Sequence, residues 1–182
     1  MLSLIVVALV VAAAVLLLVV SRQADTFRVE RSRRIAAPLP VVFAQVNDYH
    51  LWQQWSPWAK LDPDMQVTYS GPSSGVGATQ SWVGNNQVGQ GSSTIVESRP
   101  DEFIRMQLRF LKPFQANNEA TFSFVPDGES VQVTWAMSGP KNLLMKGMHM
   151  VMDVDKLCGQ AFEQGLAQLE VQAQQAAARP TS

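Results

Sequence analysis

Residues 102–137 fix the class of fold before anything else is read. In "EFIRMQLRFL" (102–111), Ile104, Met106, Leu108 and Phe110 alternate with Arg105, Gln107 and Arg109. In "NEATFSFVP" (118–126), Ala120, Phe122 and Phe124 alternate with Glu119, Thr121 and Ser123. "SVQVTWAM" (130–137) sets Val131, Val133, Trp135 and Met137 on one side. A period of two gives each segment one apolar face, the pattern of half-buried antiparallel strands. Asp127–Gly128, between two of them, is a hairpin turn. The period then changes: Val151, Val154, Cys158, Ala161, Phe162, Leu166 and Leu169 recur every three or four residues. That is one stripe of an amphipathic helix of roughly 25 residues. One-faced strands followed by a one-striped helix predict the helix laid across a curved sheet, an α+β domain.

Upstream, "FRVERSRRIAAP" alternates as a first strand, and Pro38 and Pro40 end it. "PLPVVFAQVND" predicts a short helix with Pro40 near its first turn. "DYHLWQQWSPWAK" (48–60) then places Trp52, Trp55 and Trp58 at a spacing of three, more than half of the five Trp in the chain. Trp52 and Trp55 share a helical face, and Pro57 bars a regular helix beyond them. "MQVTYS", "ATQSWVG" and "GSSTIVES" read as further strands, separated by the loops "GPSSGVG" and "NNQVGQ". The predicted order is strand, two short helices, six strands and a long C-terminal helix.

The N-terminus is a separate matter. "MLSLIVVALVVAAAVLLLVV" carries no charge and one hydroxyl, Ser3. Twenty helical residues at about 1.5 Å each span roughly 30 Å, the thickness of a hydrocarbon core. A cleaved signal peptide would carry a basic residue before the run and a small-x-small site after it. The run starts at Met1, and "SRQAD" follows with Arg22, so a retained single-pass anchor is expected. Arg22, Arg28, Arg31, Arg33 and Arg34 all follow the span, which by the positive-inside rule puts the domain in the cytoplasm. The expected organisation is an anchor at 1–21, a linker at 22–27, the domain at 28–178 and a tail at 179–182.

Composition removes several function classes. Net charge is -1, with 14 Lys and Arg that form no stripe, so nucleic acid is not an expected partner. One cysteine, Cys158, excludes an intrachain disulfide, and with two histidines leaves too few ligands for a zinc site. No metal and no cofactor is expected. His50 and His149 are the only candidates for acid–base chemistry of the imidazole kind, and no catalytic residue is assigned.

The segments "IAAPLPVVFAQVNDYHLWQQWSPW", "YSGPSSGVGATQSWVGN", "VTWAMSG" and "FEQGLAQLE" resemble the START-related SRPBCC superfamily, and most closely its polyketide cyclase/dehydrase-type members. The resemblance covers about residues 27–172. It implies the helix-grip fold, a curved antiparallel sheet wrapped around the C-terminal helix with a deep cavity between them for apolar or amphipathic ligands. On that reading the cavity lining comprises Trp55, Trp58, Trp82, Met106, Leu108, Phe122, Trp135, Met148, Met152 and Phe162.

From the residues alone, each of these has a second reading. The tryptophans close one end of the core or line the cavity. "NLLMKGMHMVM" (142–152) holds Met145, Met148, Met150 and Met152, which fill core space or form an adaptable lid hinged at Gly147. Gly159 and Gly165 in the long helix allow close approach to the sheet or make room for a ligand. Arg105 and Arg109 form a solvated face or anchor a ligand carboxylate. Three functions are therefore expected in descending order: a membrane-tethered domain binding a lipid or other apolar molecule, a protein-interaction module at the membrane, and a cyclase- or hydratase-type enzyme.

Overall fold

The structure, a computed structural model, describes residues 1–151 and 153–179, with Leu2, Leu144, His149 and Val151 described by backbone alone. Met152 and the side chain of His149, both considered above, lie outside the described residues.

Helix α1 (Leu2–Ser21) is a single apolar rod, exposed along its length until Val20 packs at its last turn. Strand β1 (Thr26–Ile35) follows after a linker of four residues, 22–25. Pro38 opens α2 (Leu39–Asn47), and Asp48 both ends it and caps α3 (Tyr49–Trp52), its Oδ1 accepting the His50 amide at 2.8 Å. Pro57 starts a 3₁₀ turn, Pro57–Lys60, as its missing N–H and fixed φ permit. Strands β2 (Gln66–Ser70), β3 (Thr79–Val83), β4 (Gln90–Arg99), β5 (Phe103–Lys112), β6 (Ala116–Asp127) and β7 (Ser130–Pro140) come next. Gly128 takes the left-handed conformation, φ 63°, that the β6–β7 turn requires.

All seven strands form one antiparallel sheet in the order β1-β7-β6-β5-β4-β3-β2. Pairing of β1 with β7 joins the two ends of the domain. Register then lays Ile104, Phe122, Trp135 and Arg31 in one row across the inner face, and Met106, Ala120, Met137 and Val29 in the next. The long helix α5 (Val154–Ala177) lies on that face. It is separate from the helix α4 (Leu143–Val151), because Asp153 caps α5 afresh, accepting the Lys156 amide at 2.9 Å. The expected single stripe beginning at Val151 is thus two helices.

Helix α5 is tied to β1 by charge as well as by packing. Arg31 reaches Asp155 and Glu163, each at 2.9 Å, and Arg33 reaches Glu170 at 2.7 Å. Arg34 pairs with Asp127 and Arg28 with Glu30. Four of the five arginines that were counted for sidedness therefore belong to a strand and serve its contacts; Arg22 alone lies in the linker.

Candidate functional site

The inner face was expected to enclose an oily hollow beneath the long helix. At its centre the structure places an aromatic stack instead. Trp135 is sandwiched between Phe162 of α5 and Phe122 of β6, with ring centroids 4.2 and 4.9 Å away. Trp52, Trp55 and Trp58 approach the same indole edge-to-face at 6.4, 5.8 and 5.6 Å. Trp55, Met106, Phe122, Trp135 and Phe162 are each at most 3% exposed. Of the ten residues assigned to a cavity wall, these five are packed core. The physical reason is volume: six aromatic side chains fill the space between helix and sheet.

Trp52 and Trp55 have a second role that spacing could not reveal. The last carbonyls of a helix lack intrahelical partners. Trp52 Nε1–H donates to the Val46 carbonyl at 2.8 Å, and Trp55 Nε1–H to that of Gln45 at 3.1 Å. The two indoles cap α2 while filling the core. Among the described residues, Trp135 Nε1 finds no acceptor.

Packing loosens toward one end of the sheet. Along β5, Ile104 and Met106 are fully buried, whereas Leu108 and Phe110 on the same face are half-buried. Along β7, buried Trp135 gives way to half-buried Met137. Trp82 is half-buried on β3, resting on Gly91, where a Cβ would lie 2.6 Å from the ring, with Phe110 5.8 Å away. Helix α5 does not begin until Val154, and α4 borders this end, its Met145 and Met148 half-buried. Between α4 and the ends of β5 and β6 lies an open cleft of about 460 Å³. Phe110, Ala116, Asn117, Pro140, Lys141 and Met145 are among its walls. A second open cleft of about 830 Å³ crosses the opposite face of the sheet past Gln107, Glu119 and Ser138.

Trp58 is a partly buried edge of the aromatic stack and Met148 is half-buried on α4, whereas Trp82 and Leu108 remain at the loosened part of the inner face. Phe110, Met137 and Met145 join them. Sequence alternation had already put Phe110 and Met137 on the inner face; which end of the sheet stays open depends on where α5 starts.

The other candidates resolve into structure. In α5, a Cβ on Gly159 would fall 2.0 Å from Arg31 Nη2, and one on Gly165 would fall 2.8 Å from the Trp135 ring. Both glycines serve close approach. Cys158 is half-buried on α5, and burial pushes its thiol up. His50 lies at the surface, its Nδ1 2.8 Å from Asp48 Oδ1 and its ring against Tyr69. Arg105 bridges Glu97 and Glu119 on the outer face. Among the described residues, no group of three His, Cys, Asp or Glu could hold a metal ion.

Known structures share this architecture. A protein from Staphylococcus aureus, SA2116, superposes with a TM-score of 0.63 at 10% identity, over 85% of this chain and 98% of that one. The Aha1 dimer from Colwellia psychrerythraea gives 0.57 at 15% identity, over 79% and 93%. The di-domain aromatase/cyclase StfQ of the steffimycin biosynthetic pathway gives 0.59 at 10% identity, over 85% of this chain and 52% of that one. At such identities the likeness is one of fold. Among proteins of curated function, none matches this sequence. The sequence pattern that describes polyketide cyclases, dehydrases and lipid transport proteins, by contrast, fits residues 26–174, the entire sheet and nearly all of α5. The chain belongs to the polyketide cyclase/dehydrase and lipid transport family.

Proposed function

We propose that this is a membrane-tethered domain that takes an apolar or amphipathic molecule, such as a fatty acyl chain, into the cleft beneath α4. The observation that carries the reading is the place of that cleft relative to the anchor. Lys146 on α4 is only 7% exposed, and its ammonium donates to the Ser21 carbonyl at the end of α1 and to Asp25 in the linker. The Lys141 amide donates to the Asp25 carbonyl at 2.7 Å. Helix α1 has the length and apolarity to cross a bilayer. The α4 side of the cleft is therefore pinned to the point where the chain would leave the membrane. Apolar molecules concentrate in the bilayer, so a cleft at that exit meets them at high local concentration. The methionines of α4 suit a wall that must adapt to varied shapes.

The packed aromatic interior supports a second reading, a tethered scaffold that binds a protein partner. One experiment separates the two. The full chain in lipid nanodiscs is irradiated with a diazirine-bearing fatty acid, with and without excess unlabelled fatty acid. Saturable adducts on Phe110, Ala116 or Met145, lost in the cleft-filling variant Ala116→Trp, are the expected result. Adducts confined to α1, or insensitive to competitor, would overturn the binding reading in favour of the scaffold.

A further inference from the structure

We infer that the tip of the β5–β6 hairpin is a second membrane contact, with Leu111, Lys112 and Phe114 seated on the anionic surface of the bilayer that holds α1. The inference rests on the tethered reading above and adds to it an orientation and a lipid preference.

The topology comes first. Because β1 pairs with β7 and the order continues through β6, β5 and β4, the residues Thr26, Pro140, Ala116, Phe110 and Gln90 gather at one end of the sheet. That end is where α1 arrives, after the linker 22–25. The β5–β6 tip lies three strands from β1, about 14 Å at the usual inter-strand spacing. A bilayer spanned by α1 extends laterally well past that distance.

The side chains there suit a lipid surface. Phe114 is 52% exposed, Leu111 39% and Leu143, at the start of α4, 52%. Exposed apolar residues scattered singly are ordinary. Here they sit among cations. In 103–118 the charged residues are Arg105, Arg109 and Lys112, and in 139–152 they are Lys141 and Lys146, with no acid in either segment. Arg105 is held by Glu97 and Glu119, and Lys146 by Asp25. Among the described residues, no carboxylate lies within ion-pair distance of Arg109, Lys112 or Lys141, the charge of Lys141 acts on the Asp25 carboxyl from farther off, and Arg109 and Lys141 both line the cleft. Apolar tips among cations that form no close ion pair match an interface of acyl chains beneath anionic headgroups. The far end of the sheet differs: there Arg34 is paired with Asp127. Docking at the near end would turn the mouth of the cleft toward the lipid.

The test uses the full chain in proteoliposomes. With the single native cysteine removed by Cys158→Ala, one cysteine is introduced as Phe114→Cys, Val10→Cys or Val125→Cys and labelled with a nitrobenzoxadiazole fluorophore. Val125 is 58% exposed near the far end of β6 and serves as the remote reference. Quenching by doxyl-labelled lipid is then read in phosphatidylcholine with and without phosphatidylglycerol. The expected result is strong quenching at positions 10 and 114 and none at 125. At position 114 it falls several-fold without phosphatidylglycerol, in high salt, or with Lys112→Glu and Lys141→Glu together. Quenching at position 10 with none at 114 would overturn the docking and leave the tether standing. A blue shift at 114 without lipid quenching would assign the tip to a protein contact and overturn it equally. An unquenched position 10 would remove the tether itself, and the docking with it.

Discussion

Phe162 on α5 lies face to face with Trp135 on β7, ring centroids 4.2 Å apart and planes 9° from parallel. This contact joins the long helix to the centre of the inner face, and Phe162 is fully buried in it. Truncating a buried phenyl removes its transfer free energy and leaves a void that rigid indoles fill poorly. Phe162→Ala should therefore lower unfolding free energy by about 3–5 kcal/mol in urea titrations followed by indole fluorescence. A loss below about 1 kcal/mol would mean that the stack is not the joint between the two layers.

The tryptophans of the same cluster should differ among themselves. Trp52 and Trp55 donate to helix-end carbonyls, whereas the Trp135 N–H has no acceptor among the described residues. Replacing each by Phe loses comparable ring volume. Only in the first two does it also strand a buried carbonyl, a cost of about 1–3 kcal/mol. Trp52→Phe and Trp55→Phe should thus be more destabilising than Trp135→Phe by roughly 1–2 kcal/mol in the same titration.

Two helix glycines should respond differently to alanine. Each substitution gains about 1 kcal/mol of helix propensity. At Gly159 the new Cβ meets the end of Arg31, a flexible side chain whose carboxylate partners are about 60% exposed. Exposed pairs contribute about 0–1 kcal/mol, so Gly159→Ala should come out near neutral. At Gly165 the neighbours are the Trp135 ring at 2.8 Å and Pro57 at 3.1 Å, neither of which can swing away. Overpacking of about 1–3 kcal/mol then outweighs the gain, and Gly165→Ala should melt at lower temperature than wild type.

Much of the fold can be read from period alone, because Met106, Phe122 and Trp135 must share a face once alternation is recognised. The long helix is equally plain from Phe162, Leu166 and Leu169. The candidate site is less legible for two reasons. The alternation that places Trp135 and Phe122 inward does not say whether they face a hollow or one another; that depends on how closely α5 approaches, which Gly165 sets. The cleft walls Phe110 and Met145 come from elements far apart in the chain, joined only by the β5–β6–β7 pairing and the α4 break at Asp153. A stripe running from Val151 onward hides that break, since Asp153 occupies a solvent-facing position in either reading.

Alkaline pH should weaken the fold through Tyr49. Its hydroxyl is buried against Ser93 Oγ at 2.6 Å, and burial raises its ionisation well above the ordinary 10.0. The unfolded chain releases that proton near pH 10.0 while the folded one retains it. Stability is thus complete below that value and falls above it, by up to about 1.4 kcal/mol per pH unit. Tyr49→Phe should abolish this part of the slope in urea titrations between neutral and alkaline pH. At neutral pH it should itself cost about 1–3 kcal/mol, because the Ser93 hydroxyl loses its partner. Adding Ser93→Ala should recover part of that loss.

The junction between α1 and α4 depends on one buried cation. Lys146 is 7% exposed, while its partner Asp25 is open to solvent on the linker. Hydrogen bonding to Lys146 and the charge of that ammonium hold the Asp25 carboxyl below its ordinary 3.8. For a carboxyl lowered in the folded state, the linked stability is present above the ordinary value and lost as pH falls through the lower one. Acid should therefore loosen α4 from the linker before it unfolds the sheet. Asp25→Asn should do the same at neutral pH, leaving the ammonium with only the Ser21 carbonyl. Amide hydrogen exchange of the full chain in nanodiscs should then quicken several-fold in residues 143–151, with β5 to β7 unchanged. Restoring shape without charge, by Lys146→Met in the Asp25→Asn background, should slow exchange again, because a buried methionine carries no unpaired charge to hydrate. Exchange in α4 that ignores all three changes would place the hold on α4 elsewhere, in its packing against α1.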